Sequence, residues 1–210
     1  MSGSKKDGGR RSYHHGNLRE ALIQAALSLI SEKGPAGFTF AEAARAAGVS
    51  PAAPYRHFRD REALLADVAC QGFRAFAAAL EAAWDGGRPN ARAAFNRTGR
   101  AYLAFARTEP AYFSAMFESG LDPSGNAELR EAGDAAFAVL RTACEAVIAT
   151  VPAGRRPPAL MMALHIWSLS HGIAALFGRG DGARRPIPMP PEDLLEAAAL
   201  IYLDGVGAEE

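Results

Sequence analysis

Apolar residues recur at intervals of three and four along most of this chain, and no segment of useful length alternates as a strand does. The stripe at residues 18–30 predicts one amphipathic helix, which Gly34-Pro35 ends. Past residue 62, Gly- and Pro-rich breaks delimit further predicted helices at 61–84, 91–119 (interrupted at Pro110), 126–150, 157–178 and 191–205. The pattern predicts an all-α protein.

Residues 39–62 carry the strongest local prediction. Thr39 and Glu42 have the spacing of a capping box, in which each satisfies a backbone amide of the other at a helix start. A helix is therefore expected from Phe40 to Ala47. Gly48 suits its end, because glycine adopts the left-handed conformation at little cost.

A second short helix is expected directly after this turn. Ser50 and Pro51 suit its start, since proline needs no amide hydrogen there. Pro54 removes the first intrahelical bond, so the helix should begin loosely or with a 3₁₀ turn. Tyr55 and Phe58 are expected to close its apolar face.

Two short helices around a tight turn are typical of a helix-turn-helix, whose second helix enters the major groove of DNA. A purely structural helical hairpin has the same turn, so spacing alone leaves both interpretations open. The amphipathic helix before the pair would complete a small DNA-binding unit, which favours the first.

Residues 13–73 resemble the N-terminal domain of the TetR family of bacterial transcriptional regulators. The resemblance rests on Ala26, Gly34, Thr39, Ala44, Ala47-Gly48-Val49-Ser50, Tyr55-Arg56-His57-Phe58 and Leu64-Leu65. It implies an all-α homodimer with an N-terminal three-helix helix-turn-helix DNA-binding domain and a C-terminal helical ligand-binding and dimerisation domain. We expect a disordered basic arm at 1–12, the DNA-binding domain at 13–62 and the ligand-binding and dimerisation domain at 63–210.

The residues expected to meet DNA lie in and beside the predicted turn: Thr39, Ser50, Ala52, Ala53, Tyr55, Arg56, His57 and Arg61. Hydroxyls and free amides at helix starts can hold phosphate oxygens, which assigns Thr39 and Ser50, and Arg61 is placed for another phosphate. The resemblance assigns phosphate contacts to Tyr55 and His57.

Few of these side chains can read a base. Ala52 and Ala53 offer only methyl groups, for thymine methyls or for close approach of the backbone. Arg56 is the one long donor, and it could read a guanine or point to solvent. Sequence specificity is therefore expected to depend on shape, water and phosphate register.

Charge is divided along the chain although the total is neutral, with 23 basic and 23 acidic residues. Residues 1–62 carry 10 Lys and Arg against 6 Asp and Glu, and residues 63–210 carry 13 against 17. A positive head and a negative body would orient the protein toward phosphate. Chance segregation is the alternative.

Aromatic residues and Met on the middle helices are candidates for a small-molecule pocket, although such residues also fill ordinary cores. They are Phe95, Tyr102, Phe105, Tyr112, Phe113, Met116, Phe117 and Phe137. Few charges fall among them, so a mostly apolar ligand is expected.

The last two predicted helices are expected to pair with their copies, as the resemblance implies. The residues predicted for this interface are Leu164, Trp167, His171, Leu195, Ala199 and Tyr202. Trp167, His171 and Gly172 also resemble the Trp-His-Gly motif of a TetR subgroup. His171 is interpreted as a packed residue of the core or the dimer seam, because no nucleophile or orienting acid accompanies it.

The sequence lacks the motifs that are typical of several functional classes. There is no Gly-rich phosphate loop, nucleophile elbow or metal motif, so no catalytic residue, metal or cofactor is expected. Adjacent His14-His15 lack metal-ligand spacing, and no run of 18 apolar residues predicts a membrane span. Two cysteines, Cys70 and Cys144, fit a reducing cytoplasm.

Three interpretations follow. The leading one is a cytoplasmic transcriptional repressor that binds palindromic operator DNA as a homodimer and is released by a small, mostly apolar effector. The alternative is a DNA-binding protein of the same fold that organises DNA or blocks another process. The third, an enzyme, has no motif in its favour.

Overall fold

The computed structural model describes residues 18–177 and 188–206, and these contain α-helices and 3₁₀ turns without a strand. The helices are α1 (Leu18–Lys33), α2 (Phe40–Ala46), α3 (Arg61–Trp84), α4 (Ala91–Thr108), α5 (Pro110–Phe117), α6 (Ala127–Thr150), α7 (Ala159–Phe177) and α8 (Pro191–Val206). The predicted all-α class is confirmed, and each predicted break falls between two of these helices.

Local capping explains where α2 and α3 begin. The Thr39 side chain accepts from the Glu42 amide at 3.2 Å, and the Thr39 amide donates to Glu42 Oε2 at 2.8 Å. Gly48 follows α2 with a φ of 72°, a left-handed conformation that favours glycine. Asp60 caps α3 by accepting from the Ala63 amide at 2.8 Å.

The second element of the helix-turn-helix is a single 3₁₀ turn, Ala53–Arg56, which we call the reading turn. The predicted second short helix consists of this 3₁₀ turn, and the expected 3₁₀ start is confirmed. Pro54 lies near the start of this turn, and its carbonyl accepts from the amides of His57 at 2.9 Å and Phe58 at 3.0 Å. The chain then ends the turn and enters α3 at Arg61.

Two buried regions share α3. Its first half packs in the head, the unit of α1, α2 and the reading turn, where Leu64, Leu65 and Val68 are fully buried. Its second half packs in the body, the unit of α4–α8, through Phe76 and Leu80. A helix of 24 residues is roughly 36 Å long, so α3 reaches through both regions. The shorter α5 also contacts both, through Ala115 in the head and Phe113 in the body.

By length and composition alone, α3 (extended to Gly87) and α7 resemble membrane spans. More than half of the apolar window in α3 is buried within the chain, and α7 carries one buried and one exposed apolar face. A core helix of a soluble protein passes the same test, so this resemblance is weak evidence for a membrane.

Candidate DNA interface and ligand cavity

The reading turn presents an exposed edge. The side chains of Ala52, Tyr55, Arg56 and His57 are exposed, whereas Pro54 is buried beneath them. Tyr55 is 63% exposed, so the expectation that it closes the apolar face was wrong. Its ring lies edge-on against Phe40, with 5.0 Å between the ring centroids, and is thereby oriented at the surface.

The Thr39 hydroxyl is already hydrogen-bonded within the head. It donates to Glu42 Oε2 at 3.0 Å, and Lys33 Nζ donates to Glu42 Oε1 at 2.8 Å. These bonds, with that from the Thr39 amide, lower the pKa of Glu42 to about 2. The carboxylate therefore stays charged, and a phosphate contact by Thr39 would require its hydroxyl proton to turn away from Glu42.

Arg61 does not extend from the surface as expected. Its guanidinium donates to the Pro35 carbonyl and lies over the Phe38 ring, with 4.7 Å from Cζ to the ring centroid. These contacts hold the start of α3 against the loop that follows α1. The predicted phosphate contact of Arg61 conflicts with this placement.

The other predicted contacts remain accessible. Ser50 is exposed, and its carbonyl accepts from the Ala53 amide at 3.0 Å, which closes the turn ahead of Pro54. Ala53 is half-buried against the head, so its methyl offers less surface than that of Ala52. The DNA contacts of all these residues stay predictions.

A cavity of about 350 Å³ lies in the body. Every helix from α3 to α8 contributes to its wall, and the wall is mostly aromatic and aliphatic. Five of the eight predicted pocket residues line it: Phe95, Tyr102, Met116, Phe117 and Phe137.

Three predicted pocket residues lie elsewhere. Phe105 and Phe113 are buried in the aromatic cluster behind the wall. The ring centroids of Phe105 and Phe76 are 5.0 Å apart, and those of Phe113 and Phe117 are 4.9 Å apart. Tyr112 lies on the head-facing side of α5, where its hydroxyl donates to Gln71 at 3.5 Å. Adjacent residues of an α-helix point about 100° apart, so Tyr112 and Phe113 lie on different sides of α5, and apolar character did not reveal which side meets the cavity.

Sequence reasoning missed the contribution of α3 to the cavity. Phe73, Phe76 and Leu80 lie at helical spacing on its second half and line the wall. Their spacing of three and four residues was the available evidence for one shared face. Such spacing indicates a buried helix face, but it does not show whether that face packs in the core or lines a cavity.

A chain of hydrogen bonds supports one side of the cavity. Trp167 Nε1 donates to Tyr102 Oη at 3.2 Å, and Tyr102 Oη lies 3.0 Å from His171 Nδ1. The His171 ring also stacks on Phe113, with 5.4 Å between centroids. Burial raises the pKa of Tyr102, so its hydroxyl stays protonated and fixes α4 against α7.

These contacts correct the predicted dimer interface. Leu195 and Ala199 are buried within the single chain and line the cavity, so they do not offer a surface to a second copy. Trp167 and His171 are half-buried and contact Tyr102 within the chain, so their predicted place at the dimer interface stays a prediction. Leu164 is 44% exposed, and Tyr202 is half-buried with its hydroxyl 3.2 Å from His165 Nδ1.

Apolar side chains of α7 and α8 that are open to solvent include Leu164 and five residues that were not predicted for the interface. They are Leu160, Met161, Leu164, Leu169, Leu176 and Ile201. Large apolar side chains exposed on neighbouring helices are candidates for an interaction site. We call these residues the outer face.

Charged residues border the cavity at its surface. Arg100 pairs with Glu196, and Arg107 Nη1 lies 2.7 Å from Glu192 Oε1, so two ion pairs join α4 to α8 there. The pair with Arg107 contributes to lowering the pKa of Glu192, although desolvation by burial opposes it.

Both cysteines are buried thiols. Burial raises the pKa of Cys70 to about 11 and that of Cys144 to about 12. Reactive cysteines have lowered pKa values, so neither has the environment of a redox sensor. No cluster of metal-ligating side chains occurs in the described ranges; the predicted basic arm and His14-His15 lie outside them.

Family models match both parts of the chain. Residues 22–68 match the model of the "bacterial regulatory proteins, tetR family", and residues 95–200 match the "Tetracyclin repressor-like, C-terminal domain". Together these cover more than half of the chain. The protein belongs to the TetR family of bacterial transcriptional regulators: it is a DNA-binding regulator and not an enzyme.

Individual relatives agree with this assignment. The HTH-type transcriptional regulator BetI of Rhizobium meliloti is 47% identical over 47 residues, which is 22% of this chain and 23% of that protein. A Rhodococcus protein of unknown function has a structure with a TM-score of 0.77 and 33% identity, covering 93% of this chain and 98% of its own. The TetR family regulator PfmR of Thermus thermophilus has a TM-score of 0.67 and 23% identity, covering 88% and 96%.

Proposed function

We propose that the protein is a cytoplasmic, homodimeric repressor that binds a palindromic operator and leaves it when a small, mostly apolar effector occupies the cavity. The observation that carries this proposal is the double role of α3. Leu64 and Leu65 anchor it in the head, whereas Phe73 and Phe76 form part of the cavity wall. A change in the cavity that tilts α3 would therefore move the reading turn.

A polar network adds a second connection between the two parts. Arg19 on α1 pairs with the buried carboxylate of Asp67 on α3, and Gln71 Nε2 donates to Asp67 Oδ2 at 3.3 Å. Tyr112 on α5 reaches Gln71, while Met116 and Phe117 on the same helix line the cavity. An effector that displaces α5 would thus act on α1 as well as on α3, favouring one of two head positions.

On DNA, Arg56 would contact a base edge, and Tyr55, His57 and Ser50 would contact phosphates. These side chains are exposed and lie in or next to the reading turn. A turn of four residues offers few donors, so groove shape and phosphate register would supply much of the specificity. We omit Arg61 from the proposed contacts because its guanidinium faces Pro35 and Phe38.

Two heads are needed to reach successive major grooves, about 34 Å apart. The outer face is the surface that would join the two copies, since large apolar side chains lie exposed on both α7 and α8. Burying each of these side chains fully at the interface would contribute about 1.5–3 kcal/mol to the free energy of dimerisation.

The test combines an operator search with a variant of the outer face. Genomic fragments selected by the purified protein should contain a few palindromes beside promoters, each holding two copies of the chain. Many scattered, non-palindromic sites would instead support a role in organising DNA. Ile201→Asp, at a residue 75% exposed, should dissociate the dimer and weaken operator binding at least tenfold without unfolding the chain.

Ala135→Asp is the matched control, because it adds the same charge at an exposed position of α6. Sedimentation velocity measures the oligomeric state, and fluorescence anisotropy measures operator affinity. A monomer that binds the operator as tightly as the unaltered protein would overturn the dimeric part of the proposal.

A further inference from the structure

Ser170 is a buried polar residue of the cavity wall without a hydrogen-bond partner among the described residues. Its residue is 2% exposed and lines the cavity. Two residues earlier on α7, the Ser168 hydroxyl shows the usual arrangement for serine in a helix, donating to the Leu164 carbonyl at 2.8 Å. Buried hydroxyls are normally paired, so the Ser170 hydroxyl has capacity for a ligand.

The other buried polar side chains of this wall are already paired. The Thr98 hydroxyl donates to the Ala94 carbonyl at 2.9 Å. Tyr102 Oη accepts from Trp167 and lies within hydrogen-bond distance of His171. Among the described buried side chains of this wall, Ser170 is therefore the one at which a bound molecule would gain a hydrogen bond without breaking one; Asn96 also lines the wall but is only half-buried.

Charge in the cavity is confined to its border. Arg100 is paired with Glu196 and Glu192 with Arg107, while Arg130 and Asp134 are exposed on α6. No cationic side chain is buried in the wall among the described residues. A carboxylate placed beside Ser170 would lose its hydration without gaining a counter-charge, which is costly.

We propose that the cavity binds an uncharged, mostly aromatic or aliphatic molecule that carries one hydroxyl or carbonyl group, which is hydrogen-bonded to Ser170 Oγ. The proposal deepens the proposed function, since it rests on the cavity being the effector site. It also defines what the site rejects: hydrocarbons that leave Ser170 unpaired and anions that bury an uncompensated charge.

Three probes of one ring system test this preference: 1-naphthol, naphthalene and 1-naphthoate. Equilibrium dialysis against the full-length protein, without DNA, gives the three affinities. We expect 1-naphthol to bind about five- to tenfold more tightly than naphthalene, the effect of one net hydrogen bond. It should bind at least tenfold more tightly than 1-naphthoate.

Ser170→Ala should remove the advantage of 1-naphthol and leave naphthalene binding unchanged, whereas Ser168→Ala should preserve the whole order. The order of the three affinities is measured on the unaltered protein, so it tests the proposed ligand class even if Ser170→Ala does not fold. Naphthalene binding as tightly as 1-naphthol, 1-naphthoate binding most tightly, or no binding of 1-naphthol below millimolar concentration would each overturn the proposal.

Operator affinity in saturating 1-naphthol separates this inference from the proposed function. If the expected order holds and operator affinity is unchanged, the cavity chemistry stands and release by a cavity occupant is contradicted. If 1-naphthol weakens operator binding but Ser170→Ala leaves its affinity unchanged, release is supported and the role of Ser170 is contradicted.

Discussion

In the head, Tyr55 and Arg56 of the reading turn form an exposed edge with their neighbours Ala52 and His57; in the body, α4–α8 surround a cavity together with the second half of α3. Tyr55 of the turn is 63% exposed and contacts Phe40 by one edge. Phe113 beside the cavity is 1% exposed and packs against Tyr102, Phe117 and His171. The two regions therefore place similar aromatic side chains in opposite environments.

In the head, the residues proposed to contact DNA differ from those that stabilise the fold. In the body, the residues that line the cavity also stabilise the fold. Side chains on the reading turn can change DNA affinity with little effect on folding, because solvent surrounds them in the free protein. The lining of the cavity is also the body's hydrophobic core, since Phe76 and Leu195 belong to both. Changes in effector preference there are expected to carry a cost in stability.

The largest expected effect tests that separation directly. Phe113→Ala should lower the free energy of unfolding by about 3–5 kcal/mol, because it leaves a cavity in a packed aromatic cluster. Tyr55→Ala should lower it by no more than about 1 kcal/mol, the loss of one edge contact. Urea unfolding followed by circular dichroism measures both, and similar losses for the two variants would contradict the comparison.

Phe113→Leu is the control for that pair, since it keeps apolar volume at the same position. It should recover much of the stability that Phe113→Ala loses. Tyr55→Phe should unfold as the unaltered protein does, because the edge contact with Phe40 requires the ring alone.

The same comparison explains which features the sequence predicts. Helix caps at Thr39 and Asp60 and the stop at Gly48 depend on residues within three or four positions, so the local sequence contains the physical cause. The 3₁₀ character of the reading turn follows in the same way from Pro54. The resemblance to the TetR family also lies in this local segment, and the family is confirmed.

Features of the body depend on contacts between distant residues. Trp167 and Tyr102 are 65 positions apart, yet their hydrogen bond orients the Trp167 indole in the cavity wall. Leu195 was expected at a dimer interface for its apolar character, which is equally consistent with a buried wall. Arg61 shows the same limit in the head, because its partner Pro35 lies 26 positions away.

The next effect concerns the reading turn alone. Arg56→Ala should relax preference at one operator base and cost about 1–3 kcal/mol of binding on the preferred sequence. His57→Ala should weaken all sequences alike and reduce the salt dependence of binding, as expected for a phosphate contact. Neither should change the free energy of unfolding by more than about 0.5 kcal/mol.

Anisotropy titrations against the operator and its single-base variants, at two salt concentrations, distinguish the roles. Arg59→Ala is the matched control, as Arg59 is 81% exposed and lies just outside the turn. Equal, sequence-independent losses for Arg56→Ala and His57→Ala would remove the base-reading role of Arg56.

The smallest effect is the acid response of the head's capping box. Because the pKa of Glu42 in the folded protein is about 2, below its usual 4.5, its charged form stabilises the head. That contribution is fully present above pH 4.5 and is lost as the pH falls toward 2. Glu42→Gln should therefore be less stable than the unaltered protein at pH 7, and the two should converge near pH 2.

Urea midpoints at pH 7, 4.5 and 2.5, followed by circular dichroism, would show the convergence. Ser28→Ala, an exposed change on α1 that alters no titrating group, should keep a constant offset over the same range. Since Lys33 is the largest cause of the lowered Glu42 pKa, Lys33→Met should reproduce part of the Glu42→Gln pattern. If the difference in urea midpoint between Glu42→Gln and the unaltered protein is the same at every pH, the ionisation of Glu42 does not stabilise the head. That result would contradict the prediction.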